Sequence, residues 1–424
     1  MNRLLVCLAA IAVLLQPAIC QEAAGKPKPS AIALPAVAKV KKLKPLMHDG
    51  KPFFPIGAYG VPLDTDLPTL RKQGWNTVLD QGAGTGSIES ILARLTDLHK
   101  AGLVGIVGIG NLVREDKDAE VMRVVGALKD HPALLGYYLF DEPENHMYAS
   151  EEFKAKGGNM SDLSLLIRRK IGWAHQAVRA AESNPDHYTF GCIAWWTEYR
   201  NLQPLCDINM PNEYPSGGTK TEFEGQWPNV VSDAKLAAEA AQANGGRGFL
   251  YTPMAVDSRA GIEMWRSPTA REFRYSAFAP ITQGAMGMIF WAGYRCTKPY
   301  AATVVFPVTR QLNALTPFFL GEWLDEKLVC APSDSPTDLL KEYKLPAVSG
   351  CLRRAADGRY LLLAVNNTPS PVNATFRLSI KNVPSNAQDF LTGKRVSIKS
   401  GIITDIMPTY GVRAYILTPR SRSR

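Results

Sequence analysis

The sequence predicts an α/β fold: a (β/α)8 TIM barrel over residues 50–320, followed by a C-terminal antiparallel β-sandwich over 321–424. Three observations carry that prediction. Short apolar runs alternate with helical patterns eight times between Phe54 and Leu320. The helical pattern then stops, and strand-like segments separated by Pro, Gly, Asn and Asp continue to the end of the chain. The length of 424 residues accommodates one barrel of about 250 residues together with a smaller domain. Doubly wound sheets also alternate, but with about five to seven strands and a glycine-rich first turn.

The expected barrel strands are Phe54–Tyr59, Thr77–Asp80, Val104–Ile109, Leu134–Phe140, Tyr188–Ile193, Ile208–Met210, Phe249–Met254 and Gly287–Trp291. Amphipathic or alanine-rich stretches separate them, among them Ile88–Ala101, Ala119–Lys129, Leu163–Ala181, Ser232–Ala243 and Ala270–Thr282. Gly82, Gly84 and Gly86 follow the second strand, with the third glycine one place early for a phosphate-binding fingerprint. A flexible loop is expected there. Beyond Leu320 the strand candidates are Leu328–Ala331, Gly350–Arg354, Tyr360–Asn366, Asn373–Ile380, Arg395–Ile398 and Val412–Leu417. In Ala374–Ile380 apolar residues fall at every second place, the period of a half-buried strand.

The termini speak to compartment. Asn2 and Arg3 precede an apolar run from Leu4 to Leu15, and a small-residue-like end closes at Cys20. This is the pattern of a secretory signal peptide over residues 1–20, too short to span a bilayer. Residues 21–49 read as a Lys/Pro/Ala-rich linker. The expected location is secreted or periplasmic. The formal net charge of +9 equals the six lysines between Lys26 and Lys44 plus Arg420, Arg422 and Arg424. The body is therefore close to neutral, which argues against nucleic acid as a partner. The basic tails suit a loose association with an anionic envelope surface. The five cysteines after the leader are too few for a disulfide scaffold and lack zinc spacing, although Cys330 and Cys351 lie in neighbouring strand candidates where a bridge is conceivable.

Chemistry is expected at the C-terminal ends of the barrel strands. The fourth strand candidate is almost wholly apolar and ends in Asp141-Glu142-Pro143-Glu144-Asn145. Carboxyls delivered beside aromatic surface are desolvated, and each raises the pKa of the other. A carboxylic acid still protonated near neutral pH is what glycosidic bond cleavage requires as its general acid. The long polar segment Glu144–Asp162 is expected to border the cleft as a loop.

Asp141-Glu142-Pro143 resembles the Asn-Glu-Pro signature of the large retaining glycoside hydrolase clan built on (β/α)8 barrels. Phe53–Gly60 as a first strand, Tyr214-Pro215 after the sixth, Phe290-Trp291 in the eighth and the final β domain are similar too. The resemblance implies that Glu142 is the acid/base and that Trp291 contributes to a sugar platform, an aromatic face stacking on a pyranose. Trp195, Trp196, Tyr199, Asn212 and Tyr214 complete the expected carbohydrate contacts. The chain departs from the clan at two points. Asp141 stands where the clan has Asn, and the seventh strand carries no Glu until Glu263. The second carboxylate is therefore expected at Glu213 or Asp257.

Two alternatives follow. Several hexosaminidase families place adjacent Asp-Glu at the fourth strand, where the substrate's own acetamido group attacks and no enzyme nucleophile is needed. A barrel without its nucleophile also suits noncatalytic carbohydrate binding. No cofactor is expected, and no G-x-S-x-G, H-E-x-x-H or P-loop spacing occurs. His146 beside Glu144 is too little for a metal site, so none is expected.

Overall fold

A computed structural model describes residues 43–419, apart from 62–63, 81–85, 156, 217–225, 261–265 and 292–295. The signal peptide, most of the basic linker, the Arg420–Arg424 tail, most of the Gly82–Gly86 segment and Glu263 lie outside the described residues. Residues 43–49, assigned to the linker by composition, already belong to the fold. Leu43 is fully buried, Lys44 exchanges backbone hydrogen bonds with Gly246 and Gly248, and Leu46–His48 pairs with Lys51–Phe53.

The barrel strands form a parallel sheet in the order sixth, fifth, fourth, third, second, first, eighth. They are Ile208–Asn209, Tyr188–Cys192, Leu134–Asp141, Val104–Gly108, Thr77–Asp80, Ile56–Tyr59 and Met288–Phe290. The expected seventh strand is not regular, because Pro253 has no N–H to donate. Its segment nevertheless closes the ring. Leu250 N–H donates to Asn209 O at 3.1 Å and Thr252 N–H to Pro211 O at 2.9 Å on one side. On the other side Tyr251 N–H donates to Gly287 O at 3.0 Å, and Ile289 N–H to Tyr251 O at 2.9 Å. The barrel has no open edge at this position.

Alternation sorts the side chains. Tyr59, Leu79, Ile106, Tyr138, Phe190, Cys192, Ile208, Met210, Leu250 and Ile289 fill the interior. Their neighbours, such as Val78, Val107, Tyr137 and Tyr251, pack under the helices. Helices form where local chemistry starts them: Ser87 caps Ile88–Lys100, and Thr269 with Glu272 forms a capping box on Ala270–Phe278. The 144–162 segment is largely helical rather than a loop, with Pro143–Tyr148, Glu151–Ala155 and the start of Met160–Ala181. Pro143 at the first helical turn and acids in the first turns favour that outcome.

After the helix Phe306–Phe319 come a six-stranded and a three-stranded antiparallel sheet. Tyr360–Asn366 is buried along its whole length. Leu362 and Ala364 face the second sheet with Phe376, Leu378 and Met407, while Leu361, Leu363 and Val365 join the core that includes the barrel helices. A strand buried on both faces reads as a continuous apolar run. The same alternation separates Cys330 and Cys351. Cys351 lies in the core shared with the barrel, Cys330 packs against the inter-sheet core, and both are free thiols.

Candidate active site

The fourth strand carries a bulge that determines where its acids point. Tyr138 pairs with Phe190, Phe140 with Gly191 and Asp141 with Cys192, so one residue is extra on this strand. Leu139 and Phe140 thus both face the helix layer, and Asp141 returns to the interior side beside Cys192. Gly191 makes this possible, since a Cβ there would lie 2.2 Å from the Phe140 ring. Asp141 Oδ1 accepts from the Tyr138 hydroxyl at 2.7 Å, and the Tyr59 hydroxyl donates to Tyr138 at 3.2 Å. Burial, reinforced by the Asp141 charge, holds both phenols well above their ordinary pKa.

Glu142 takes the left-handed conformation, φ 44° and ψ 56°, which is unfavourable for a residue with a Cβ. Its N–H donates to Cys192 O at 3.0 Å, which ties the turn to the fifth strand. Asn145 Nδ2 donates to Oε2 at 2.6 Å, and Asn212 Nδ2 donates to Oε1. Asn212 follows Met210 on the interior side of the sixth strand and also donates to the Tyr214 hydroxyl at 3.1 Å. The Tyr214 ring stacks on Trp291, with centroids 4.9 Å apart and planes at 19°. Trp195 Nε1 donates to Asn145 Oδ1 at 2.6 Å. One connected set therefore runs from Trp195 through Asn145, Glu142, Asn212 and Tyr214 to Trp291.

The remaining candidates lie elsewhere. Glu213 follows Asn212 in the irregular segment beyond the sixth strand, and its charge acts on the buried phenols of Tyr199 and Tyr251 in the helix layer. Tyr199 is itself only 1% exposed, which removes it from the expected sugar contacts. Trp196 is half-buried and packs against the same layer. Asp257 is fully buried and accepts from Arg259 Nε at 2.9 Å, Ser267 Oγ at 3.1 Å and Thr297 N–H at 3.1 Å. Burial alone would raise its pKa, but the bonds from Arg259 and Thr297 outweigh it and hold the carboxyl well below the usual range. Its oxygens are engaged in fastening two loops. Asp80 ends the second strand paired with Arg94 at 3.2 Å, and Glu198 is buried beside Asn201.

Glu144 is not among the strand-end acids that the sequence marks for catalysis. This carboxyl is fully buried and accepts from the backbone N–H groups of Ala194 and Trp195, the latter at 2.7 Å. Burial pushes its pKa up to about 8 against the pull of those two donors, and the nearby Glu142 charge adds to the rise. Its other oxygen, Oε2, has no hydrogen-bond partner among the described residues, which suits a protonated acid better than a carboxylate. Glu144 thus fastens the exit of the fifth strand to the turn that carries Glu142. The second acid of Asp-Glu-Pro-Glu was the available signal, but only the fold shows which of these acids is buried.

The fold and its mouth define a class: a closed (β/α)8 barrel with a C-terminal β-sandwich, whose strand ends gather paired acids and aromatic rings. Among solved structures the chain is similar to a glycoside hydrolase at 13% identity and TM-score 0.55, covering 91% of this chain and 97% of that one. It is likewise similar to a glycoside hydrolase family 5 protein from Bacteroides vulgatus ATCC 8482, at 13% identity and TM-score 0.54, over 90% of this chain and 93% of that one. At this identity the likeness shows the fold, a TIM barrel of the kind expected from the strand count. No protein-family model and no curated protein matches the sequence.

Proposed function

We propose that this chain is an exported glycoside hydrolase in which Glu142 is the general acid/base. The observation that carries this reading is the Glu142 carboxyl at the end of an apolar barrel strand, bonded by Asn145 and Asn212 and linked through Tyr214 to the Trp291 face. An acid in that position gives a proton to the glycosidic oxygen as the bond breaks, then takes one from the attacking water. Tyr214 and Trp291 supply aromatic surface for a pyranose, and Trp195 supplies more on the opposite side of Glu142. The solved structures of similar fold support the glycosidase reading.

Asp141 is the partner carboxyl in this reading. Asp257 is engaged by Arg259, Ser267 and Thr297, and the Glu213 charge acts on the buried phenols of Tyr199 and Tyr251, so Asp141 suits the role better than either. Asp141 is fixed by Tyr138 beside Glu142, an arrangement that also supports the substrate-assisted alternative. There Asp141 would accept from the acetamido N–H of a hexosamine while the acetamido oxygen attacks.

The test is release of reducing sugar from a panel of glycosides with and without a 2-acetamido group. Cleavage that falls by about 10³-fold or more in Glu142→Gln supports the acid/base role. Cleavage restricted to acetamido sugars supports the assisted route. Binding without turnover on the whole panel sinks the enzyme and leaves a noncatalytic carbohydrate-binding barrel. The proposed export, and association with an anionic envelope through the basic tails, is read from cell fractionation and the mature N-terminal residue.

A further inference from the structure

Of the Phe, Tyr and Trp side chains among the described residues, only Tyr148 and Phe390 are exposed. Tyr148 stands close to the proposed acid. It ends the helix Pro143–Tyr148, is 48% exposed, and its ring centroid lies 5.4 Å from that of Trp195. The two planes are inclined at 58°, so the rings form a corner rather than a stack. Trp195 is half-buried and held at two points: its backbone N–H donates to Glu144 Oε1 at 2.7 Å, and its indole N–H to Asn145 Oδ1 at 2.6 Å. Tyr148 also packs on the buried ring of Phe153, with centroids 5.5 Å apart. Rings fixed in this way and open to water stack on the apolar face of a pyranose at little ordering cost.

The corner reaches the same carboxyl as the Tyr214–Trp291 pair, but through the other oxygen. An indole N–H only donates, so Asn145 turns its oxygen to Trp195 and its amide nitrogen to Oε2 of Glu142, at 2.6 Å. Asn212, which donates to the Tyr214 hydroxyl, donates to Oε1. Two aromatic pairs therefore converge on one acid through separate amides. A single sugar with a small leaving group stacks on one pair and leaves the other without a partner.

We infer that Tyr148 and Trp195 form a further sugar-binding subsite, and that the substrate is an oligo- or polysaccharide cleaved within the chain, its leaving group itself a sugar. The inference rests on the glycosidase reading, because only a bond broken at Glu142 places sugars on both ring pairs. Trp195 is the nearer ring of the corner, since it bonds Asn145, and Tyr148 is the outer one. Tyr148 is thus reached by long chains and not by a disaccharide seated at Glu142.

The test compares borohydride-reduced oligosaccharides of two and six units, built from the sugar whose simple glycoside is cleaved. The six-unit chain should show a kcat/KM about fivefold or more above the two-unit one, with di- and trisaccharides as first products. Tyr148→Ala should raise KM for the six-unit chain about fivefold with kcat within about twofold, and leave the two-unit chain unchanged. Tyr148→Phe keeps the ring and should keep the wild-type constants. Tyr148 is exposed, so both variants keep their fold, and melting curves check this. Equal kcat/KM at both lengths, or release of single sugars only, overturns the inference and leaves the glycosidase reading intact. A length preference that survives in Tyr148→Ala overturns the assignment to this corner. If no glycoside is cleaved, internal cleavage falls together with the glycosidase reading. Calorimetry on the full chain with hexasaccharides of glucose, xylose, mannose, galactose and N-acetylglucosamine then decides the subsite. Binding that weakens about fivefold in Tyr148→Ala upholds it, and binding that is absent or unchanged overturns it.

Discussion

The side-chain amide of Asn212, three residues past the sixth strand, donates to Oε1 of Glu142, just past the fourth. These residues are seventy positions apart, and the fifth strand lies between their strands. The bond sets the direction in which the Glu142 carboxyl faces the barrel mouth.

Asn212→Ala should therefore cost rate more than stability. Loss of one orienting hydrogen bond lowers kcat by about 10²-fold while shifting stability by about 1 kcal/mol. Steady-state kinetics beside thermal unfolding check the two numbers. Equal kcat in the variant would show that Asn212 does not position the acid.

Glu144 makes stability depend on pH in an unusual direction. Its folded pKa is about 8, above the ordinary carboxyl value of 4.5. The folded state thus keeps a proton that the unfolded state has lost, and stability falls as pH rises from 4.5 through 8. The loss is on the order of 2–4 kcal/mol after relaxation of the site. Glu144→Gln mimics the protonated acid, so its melting temperature should match the wild type at pH 5 and exceed it at pH 9. Parallel curves across that range would remove Glu144 as the cause.

Asp257 provides the opposite case. Its folded pKa lies below the ordinary 3.8, so its contribution is present above that value and is lost as pH falls through the depressed folded value. Asp257→Asn should destabilise the fold by about 2 kcal/mol at pH 7, less than a fully buried pair because Arg259 is largely exposed. Its kcat on the best glycoside should stay within about tenfold of the wild type at a temperature where both are folded. A loss of about 10⁴-fold would instead return Asp257 to the role of nucleophile.

Gly191 should not tolerate a methyl group. A Cβ would sit 2.2 Å from the Phe140 ring, and Phe140 is held between the sheet and the helices. Gly191→Ala should cost about 2–3 kcal/mol and displace the bulge that aims Asp141, so both melting temperature and kcat fall. Unchanged stability would mean that the bulge is not locked by this contact.

The sequence alone determined the β/α alternation, the order of the two folded parts and the acid-bearing turn, but not the irregular seventh strand or the C-terminal strands Glu322–Trp323, Asn386–Asp389 and Ile402–Met407. Alternation of apolar runs with helical patterns is a local signal, and Asp141-Glu142-Pro143 sits at the end of the least ambiguous run. Local signals do not, however, say which of several strand-end acids share a space. Tertiary structure decided that. Glu213 and Asn212 are chain neighbours just past the sixth strand, yet Asn212 reaches Glu142 while the Glu213 charge acts on Tyr199 and Tyr251. Asp257 is spent on Arg259, Ser267 and Thr297, partners brought together by loop closure. Glu144, two residues from the proposed acid, is taken inside by the backbone of Ala194 and Trp195. A pattern of period two or 3.6 records which way a residue points within its own element. Which carboxyl is desolvated, paired or left facing the mouth depends on what distant elements place against it, and that is a property of the closed barrel.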